Sequence, residues 1–430
     1  MFRDPGIETL GRADLERLQL GRLQKLVARL QERVALYRER FARAGITAES
    51  IKSLADLRRL PFTANADLRD SYPAGLLAVP MDQTLRLHTS SGTTGRPKAL
   101  FFSPRDVDNA AELCARGFVA TGLTAHDVFQ NMMTYGLFTG ALVAHYGAEK
   151  VGCLVIPAGP GNSEKQLQLM QDFGTTAMHL TPSFALYFAD FVDAKGPDAR
   201  RPLKLRRAFV GAEPYSVETR DKIEQGLGVE VFNSYGLSEM NGPGVAFECA
   251  ERAGMHLWED HFILEVIDPK TEAPLPDGEA GELVLTTLCR EAMPLLRYRT
   301  RDITAIVPRP CACGRTHRRL SRITGRADDM LIVRGVNVYP QQIEHVLMAI
   351  PQVGRNYVIL LEGRDDMTVQ AELAHSELGM GDEQRAALEG EIAARLRSEI
   401  LTKPKVKLMP PASLPISEGK AKRVIDRRTL

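Results

Sequence analysis

The chain has 430 residues, 44% of them hydrophobic and 25% charged, with a formal net charge of +1. Such a length exceeds one small core, so two or more domains are expected. The even charge balance gives no long-range field for nucleic acid or an anionic membrane, so any phosphate binding has to be local.

The opening MFRDPGIETL holds no long apolar run, and no stretch nears the ~18–20 apolar residues that cross a bilayer. A cytoplasmic enzyme without membrane or nucleic-acid partners is expected. Six cysteines in this length are not a disulfide framework. Cys114, Cys153 and Cys289 stand alone and read as small buried apolar residues. Residues 12–44 read as one helix, because Leu15, Leu18, Leu23, Leu26, Leu30 and Val34 recur at helical spacing, with Gly45 as its cap. Its apolar stripe suits packing on its own domain, or a dimer contact. From about 85 to 290, short apolar runs such as VGCLVIP (151–157), TTAMHLTP (175–182) and RAFVGAEP (207–214) follow helical patterns, which predicts βαβ units around a buried sheet. FILEVID, GELVLTTL and ITAIVP read as antiparallel strands. Past about 326 a smaller unit reads strand, helix, strand, strand, helix and then a basic tail. The expected class is α/β: a large N-terminal domain (1–326) of several subdomains with mixed sheets and helices, and a small mobile α+β C-terminal domain (327–430).

Three segments carry chemistry. In Thr89-Ser90-Ser91-Gly92-Thr93-Thr94-Gly95-Arg96-Pro97-Lys98, two glycines allow close backbone approach, five hydroxyls can donate, and Arg96 and Lys98 add charge. Such a loop suits phosphate binding, though it lacks the G-x-x-x-x-G-K-[ST] pattern. In Asn233-Ser234-Tyr235-Gly236-Leu237-Ser238-Glu239, the tyrosine can stack on a purine and Glu239 can hold Mg²⁺. Taken alone, it reads as a strand end followed by a turn. In Arg297-Tyr298-Arg299-Thr300-Arg301-Asp302, the arginines suit a solvated strand face, and Asp302 suits ribose hydroxyls.

Together and in this order, the three resemble the superfamily of adenylate-forming enzymes: acyl- and aryl-CoA synthetases, adenylation domains and luciferases. Gly325-Arg326-Ala327-Asp328-Asp329, Arg334-Gly335-Val336-Asn337-Val338-Tyr339-Pro340 and Ser417-Glu418-Gly419-Lys420-Ala421-Lys422-Arg423 extend the likeness over the whole chain. YGLFTGALVAHYGAEKVGC (135–153), FVGAEP (209–214), YGLSEMNGPGVAFEC (235–249), HLWEDHF (256–262) and GKAKRVIDRR (419–428) are similar to phenylacetate–CoA ligases. The resemblance implies that an acid, ATP and CoA give acyl-CoA, AMP and pyrophosphate through an acyl-adenylate. It implies Lys420 and Glu239 as catalytic groups, with Mg²⁺ on Glu239. It implies ATP binding by Ser90, Ser91, Gly92, Thr93, Thr94, Gly95, Lys98, Gly211, Ala212, Glu213, Asn233, Tyr235, Gly236, Asp302 and Arg326. Tyr135, Gly136, Phe138, Pro243 and Gly244 would line the acid pocket, where Phe138 also suits plain core. Asp328 would be the hinge, Arg334 and Gly335 would face CoA, and a homodimer is implied. Adenylation without CoA is the alternative: loading of a carrier protein, or adenylylation of a deazaflavin coenzyme.

Cys249, His256, Cys311 and Cys313 depart from the main pattern of the family. Two thiolates one residue apart resemble a zinc knuckle, although C-x₂₋₄-C is the usual spacing. They are expected to form a closed structural Zn²⁺ site, with His261 or His317 as substitute ligands.

Overall fold

A computed structural model describes the chain except residues 91–96, 335, 363–365, 416–420 and 429–430. Ser91, Gly92, Thr93, Thr94, Gly95, Gly335 and Lys420 therefore lie outside the described residues. The fold belongs to the mixed α/β class expected. It divides into two compact units: Met1–Gly159 with Phe232–Ile323, and Pro160–Val231 with Thr324–Leu430.

In the first unit the predicted N-terminal helix is two helices, Arg12–Arg33 and Ala35–Ala44. Val34 breaks it by adopting an extended backbone (φ −120°, ψ 113°). A β-branched residue tolerates that conformation better than a helix turn. Gly45 ends the second helix in the left-handed conformation, as its position predicts. Leu15, Leu23, Leu26 and Leu30 are buried, so the apolar stripe is used inside this unit. Helix Pro104–Ala120 starts at a capping box. Ser103 Oγ accepts from the Asp106 N–H at 3.1 Å, and the Asp106 carboxylate accepts from the Ser103 N–H at 3.0 Å.

Strands Arg86–Ser90 and Lys98–Phe102 pair antiparallel with Ser90 opposite Lys98. Strands Phe262–Ile267, Gly281–Thr287 and Tyr298–Thr304 form an antiparallel set. The third strand expected from ITAIVP is split instead: Ile303 and Thr304 end Tyr298–Thr304, and Ile306–Val307 pairs with Arg319–Leu320 in another sheet. A second antiparallel series runs from Glu230–Leu237 through Gly242–Glu248 and Met255–Leu257 to Arg319–Leu320. Val128–Asn131 and Leu154–Ile156 pair in parallel across the helix between them.

The run Arg297–Asp302 is not a solvated face. Arg297 is clamped by Glu265 through two hydrogen bonds of 2.9 and 2.8 Å, and Arg299 by Glu282 through bonds of 3.1 and 2.7 Å. Both arginines are buried. Their carboxylate partners sit on two other strands of the sheet and neutralise charge that water would otherwise have to solvate.

In the second unit, strands Ala177–Leu180 and Arg207–Val210 pair in parallel, with helices Pro182–Ala194 and Val217–Leu227 following them. The C-terminal segment opens with the hairpin Leu331–Val333 and Val336–Val338. Helices Pro340–Met348 and Asp382–Ile400 then pack on a four-stranded sheet in the order 405–409, 366–373, 353–362, 424–426. Its core includes Val338, Ile343, Leu347, Ile359, Val369, Ile392 and Leu396. The expected basic tail thus contributes two strands, each parallel to its neighbour. Lys405 and Lys407 take the outward positions of one of them while Leu408 turns inward.

Candidate active site

In the first unit the lysine of the 98–102 strand meets the carboxylate of the tyrosine-glycine motif. Lys98 Nζ donates to Glu239 Oε1, and the Tyr298 hydroxyl donates to the same oxygen at 3.3 Å. Both charged side chains are largely withdrawn from water, at 14% and 7% exposure, so their attraction is screened little. Tyr235 is fixed by its hydroxyl, which donates to Asp302 Oδ2 at 2.6 Å. The Asn233 N–H donates to Glu248 Oε2 at 2.8 Å, and Ser238 Oγ lies 2.9 Å from Thr139 Oγ1. Lys98, Asn233, Tyr235, Gly236, Glu239 and Asp302 therefore belong to one unit, on the 98–102 strand, the 230–237 strand with the turn after it, and the 298–304 strand.

Gly236 has a steric reason. A Cβ there would sit 2.1 Å from the Gly242 carbonyl oxygen and 2.6 Å from Pro243 Cα. The strand that carries Tyr235 can press this closely on its partner only without a side chain. Gly242, at φ +82°, lies against Thr139, which brings the 242–244 segment beside the end of 135–138. Tyr135 accepts from Asn131 Nδ2 at 2.9 Å, and burial pushes its phenol up to about 12. Gly136, at φ +124°, has open space where a Cβ would be. Phe138 is 44% exposed, so it is not plain core.

One group escaped the sequence reading. Arg290 is buried, with its guanidinium 4.2 Å from the centre of the Phe102 ring. It donates to the Glu239 carbonyl at 2.7 Å, to Asn241 Oδ1 at 3.4 Å and to the Phe101 carbonyl at 3.2 Å. Burial lowers its pKa to about 10, which leaves it charged at neutral pH. No spacing in LCREAMP marks it; its role comes from contacts 49 to 189 residues away in sequence.

Gly211, Ala212 and Glu213 are in the second unit, after strand Arg207–Val210. Ala212 holds φ +70°, a conformation unusual for a residue with a side chain. Glu213 accepts from Ser183 N–H at 3.2 Å, from Ser183 Oγ at 3.0 Å and from the backbone N–H of Ala421. Burial nevertheless pushes its carboxyl up. Arg326 makes a two-pronged pair with Asp328, both bonds at 2.9 Å. Arg334 lies 3.9 Å from Asp366 at φ +52°.

The four cysteine and histidine residues meet in the first unit. Their ligand atoms all lie within 4.8 Å of one another, with Cys249 Sγ 3.7 Å from Cys311 Sγ and Cys313 Sγ 3.3 Å from His256 Nε2. A disulfide needs about 2.05 Å, so these are not bonded thiols. Tetrahedral zinc, with bonds of about 2.0–2.3 Å, puts neighbouring ligand atoms roughly 3.5–3.8 Å apart. His256 Nδ1 is 3.2 Å from the His317 carbonyl, which fixes that nitrogen as the donor and leaves Nε2 as the metal-facing atom. The hydrogen bond from Cys249 holds the Cys313 thiol well below its usual range, toward the ligating thiolate. His261 is engaged by Asp260 at 2.8 Å. His317 bonds the Glu259 N–H at 3.1 Å and the Ile7 carbonyl at 3.0 Å, so neither substitute joins the cluster.

Comparison with known proteins follows this geometry. Residues 18–289 match the family described as AMP-binding enzyme, and residues 335–428 the AMP-binding enzyme C-terminal domain. The chain is 45% identical to a phenylacetate–coenzyme A ligase of Thermus thermophilus, over 100% of both chains. It is 43% identical to the enzyme of that name from Escherichia coli, over 99% of this chain and 98% of the other. Among solved structures, a 2-hydroxyisobutyryl-CoA ligase in its postadenylation state with 2-HIB-AMP is similar at TM-score 0.92 and 29% identity, covering 98% of this chain and 91% of that one. The same ligase with CoA in its thioesterification state gives TM-score 0.73 at 29% identity, covering 99% and 92%. Among the described residues no helix is long and apolar enough to cross a membrane.

Proposed function

The chain belongs to the phenylacetate–CoA ligase family of AMP-binding enzymes, and we propose that the acid it joins to CoA is an aryl acid of the phenylacetate type. As a member of that family it is an ATP-dependent acid–CoA ligase that works through an acyl-adenylate. The full-length likeness to enzymes named for phenylacetate carries the choice of acid. The open segment Tyr135–Phe138 beside Gly242–Gly244 supports it, because aromatic side chains with glycine gaps suit a flat ring.

In this reading the carboxylate of the acid attacks the α-phosphorus of ATP and pyrophosphate leaves. Charge develops on phosphoryl oxygens, so catalysis rests on positioning and electrostatic stabilisation. Lys98 and the 90–95 segment bind phosphate, and Asp302 takes the ribose hydroxyls. Tyr235 and Gly211–Glu213 frame the adenine, with Asn233, Gly236 and Arg326 supporting the nucleotide. Glu239 is the carboxylate assigned to Mg²⁺, which neutralises phosphate charge when bound. Lys420 is the catalytic lysine; the Ala421 N–H anchored on Glu213 fixes the chain directly after it. Asp328 is the pivot of the C-terminal segment, and Arg334 with Gly335 faces the incoming thiol. Pyrophosphate release with ATP and Mg²⁺ over a panel of aryl and fatty acids tests the choice of acid. Strongest release with a fatty acid contradicts it. Adenylation without CoA predicts release that CoA does not convert to thioester.

We further propose that Cys249, His256, Cys311 and Cys313 hold a structural Zn²⁺ and that the chain works as a homodimer. Four donors of zinc-binding type whose ligand atoms lie within 4.8 Å of one another, with one histidine nitrogen tied to a carbonyl, support the metal. Cys311 and Cys313 precede Arg315, which is bonded to Glu8 at 2.7 Å, so the metal would brace the loop that anchors the N-terminal segment. Metal analysis of protein purified without chelator should give about one zinc per chain. The C311S/C313S variant should lose the zinc and melt earlier. Zinc-free wild-type protein contradicts the assignment, and gel filtration at the monomer mass contradicts the dimer.

A further inference from the structure

The first unit carries a groove of about 930 Å³ whose lining is strongly cationic. Arg17, Arg22, Lys25, Arg29 and Arg33 come from helix Arg12–Arg33, and Arg105 from the wall opposite. Only two carboxylates, Glu32 and Glu291, line the same groove. This concentration stands out in a chain of net charge +1.

Arg22, Lys25, Arg29 and Arg33 recur at helical spacing and so share one face. Like charges so spaced repel and oppose the helix that carries them. Arg33 pairs with Glu32, Arg17 with Asp14 and Arg105 with Glu291. Among the described residues, Lys25 and Arg29 have no carboxylate within ion-pair distance, and Arg29 Nε is buried without a hydrogen-bond partner. Gly21, in the middle of the helix, lines the same groove, and a Cβ there would meet nothing within 4 Å. A position with no side chain keeps the space between these cations clear.

The groove also has a fixed relation to the reaction site. Its lining includes Leu288–Glu291, and the Arg290 guanidinium from that segment grips the Glu239 carbonyl at 2.7 Å. One short segment thus serves the groove and braces the turn that carries Glu239.

We propose that this groove holds the phosphates of CoA, with Lys25 and Arg29 binding its 3′-phosphate. The proposal rests on the ligase reading above. CoA carries its phosphates at the end of a long pantetheine arm remote from the thiol, so they need a cationic rest away from the reacting carboxyl. Arginine and lysine supply phosphate donors, and the half-buried Arg29 is screened less than a surface arginine.

The test measures KM for CoA and for 3′-dephospho-CoA in the wild type, in K25Q and in the K25Q/R29Q double variant. Pyrophosphate release without CoA serves as the folding and first-step control. The double variant should raise KM for CoA about tenfold, as two partly exposed charge contacts would. Its KM for 3′-dephospho-CoA should change little, so the wild-type preference for the 3′-phosphate collapses. K25Q, altered at an exposed side chain, should show a smaller shift of the same kind. Unchanged KM for CoA in variants that release pyrophosphate normally overturns the proposal and leaves the ligase reading standing. If the wild type forms no thioester at all, the ligase reading falls instead. Calorimetric titration with CoA then decides the groove: binding about tenfold weaker in the double variant upholds it, and equal or absent binding overturns it.

Discussion

Replacing Gly236 by alanine puts the geometry around Glu239 to a direct test. The added Cβ would lie 2.1 Å from the Gly242 carbonyl oxygen, 2.6 Å from its carbon and 2.6 Å from Pro243 Cα, whereas real Cβ atoms essentially never come within 3.0 Å. All three are backbone atoms, so no side chain can swing aside. The pairing Gly236↔Pro243 and Leu237↔Gly242 has to open instead. Overpacking costs ~1–3 kcal/mol, and each ladder hydrogen bond lost adds about 1 kcal/mol. Tyr235 and Glu239 flank the point where the strands part. The expected outcome is a melting temperature lower by a few degrees and pyrophosphate release at least tenfold slower, since 1.4 kcal/mol is a factor of ten in rate. Gly390, inside helix Asp382–Ile400 with nothing within 4 Å of an added Cβ, is the control. G390A should keep full activity and gain roughly 0.5–1 kcal/mol of stability. Differential scanning fluorimetry and a coupled pyrophosphate assay read both variants. G236A with wild-type melting and wild-type rate would refute the reasoning.

Further outcomes follow from the same structure. Arg290→Met keeps the apolar contact with Phe102 but removes the donors to the Glu239 and Phe101 carbonyls. Each buried carbonyl left bare costs ~1–3 kcal/mol, so the variant should melt earlier and release pyrophosphate more than tenfold slower; retention of wild-type activity would show that Glu239 does not depend on this brace. His179 is buried, and burial lowers its pKa to about 4. The unfolded chain, with a histidine near 6.5, binds the extra proton first as pH falls. The stability gained by keeping His179 neutral is therefore complete above pH 6.5 and is lost as pH drops toward 4, by an order-of-magnitude ~3 kcal/mol. Melting curves should show this acid loss, and H179N should flatten it; equal slopes in the two proteins would remove His179 as the cause.

Much of this fold was legible because its signals are local. Gly45 marked a helix end, apolar runs marked the antiparallel strands Phe262–Ile267 and Gly281–Thr287, and the strand–helix order past 326 follows periodicity. What was not legible depends on distant partners. Val34 continues a perfect helical stripe, yet the backbone turns out of the helix there. The arginines of 297–301 look solvated in isolation, because Glu265 and Glu282 lie up to 32 residues away in sequence. Lysines at 405 and 407 hid a strand, since an alternating strand needs only one apolar face, and Leu408 supplies it. At the site, Lys98, Tyr235, Glu239 and Asp302 could be named from motifs, and the structure brings them into two contacting pairs in one unit. Arg290 could not be named, because a buried cation that braces backbone carbonyls has no spacing of its own. The cysteine pair at 311 and 313 pointed to a metal-type cluster, and Cys249 and His256 do meet it.

The most direct test of the central claim is a single assay: pyrophosphate release and CoA thioester formation measured together, with ATP, Mg²⁺ and phenylacetate, with and without CoA. Phenylacetate-dependent pyrophosphate release, with CoA converted to phenylacetyl-CoA and AMP released from ATP in equal amount, is the predicted result. Pyrophosphate release that no added CoA turns into thioester would contradict it.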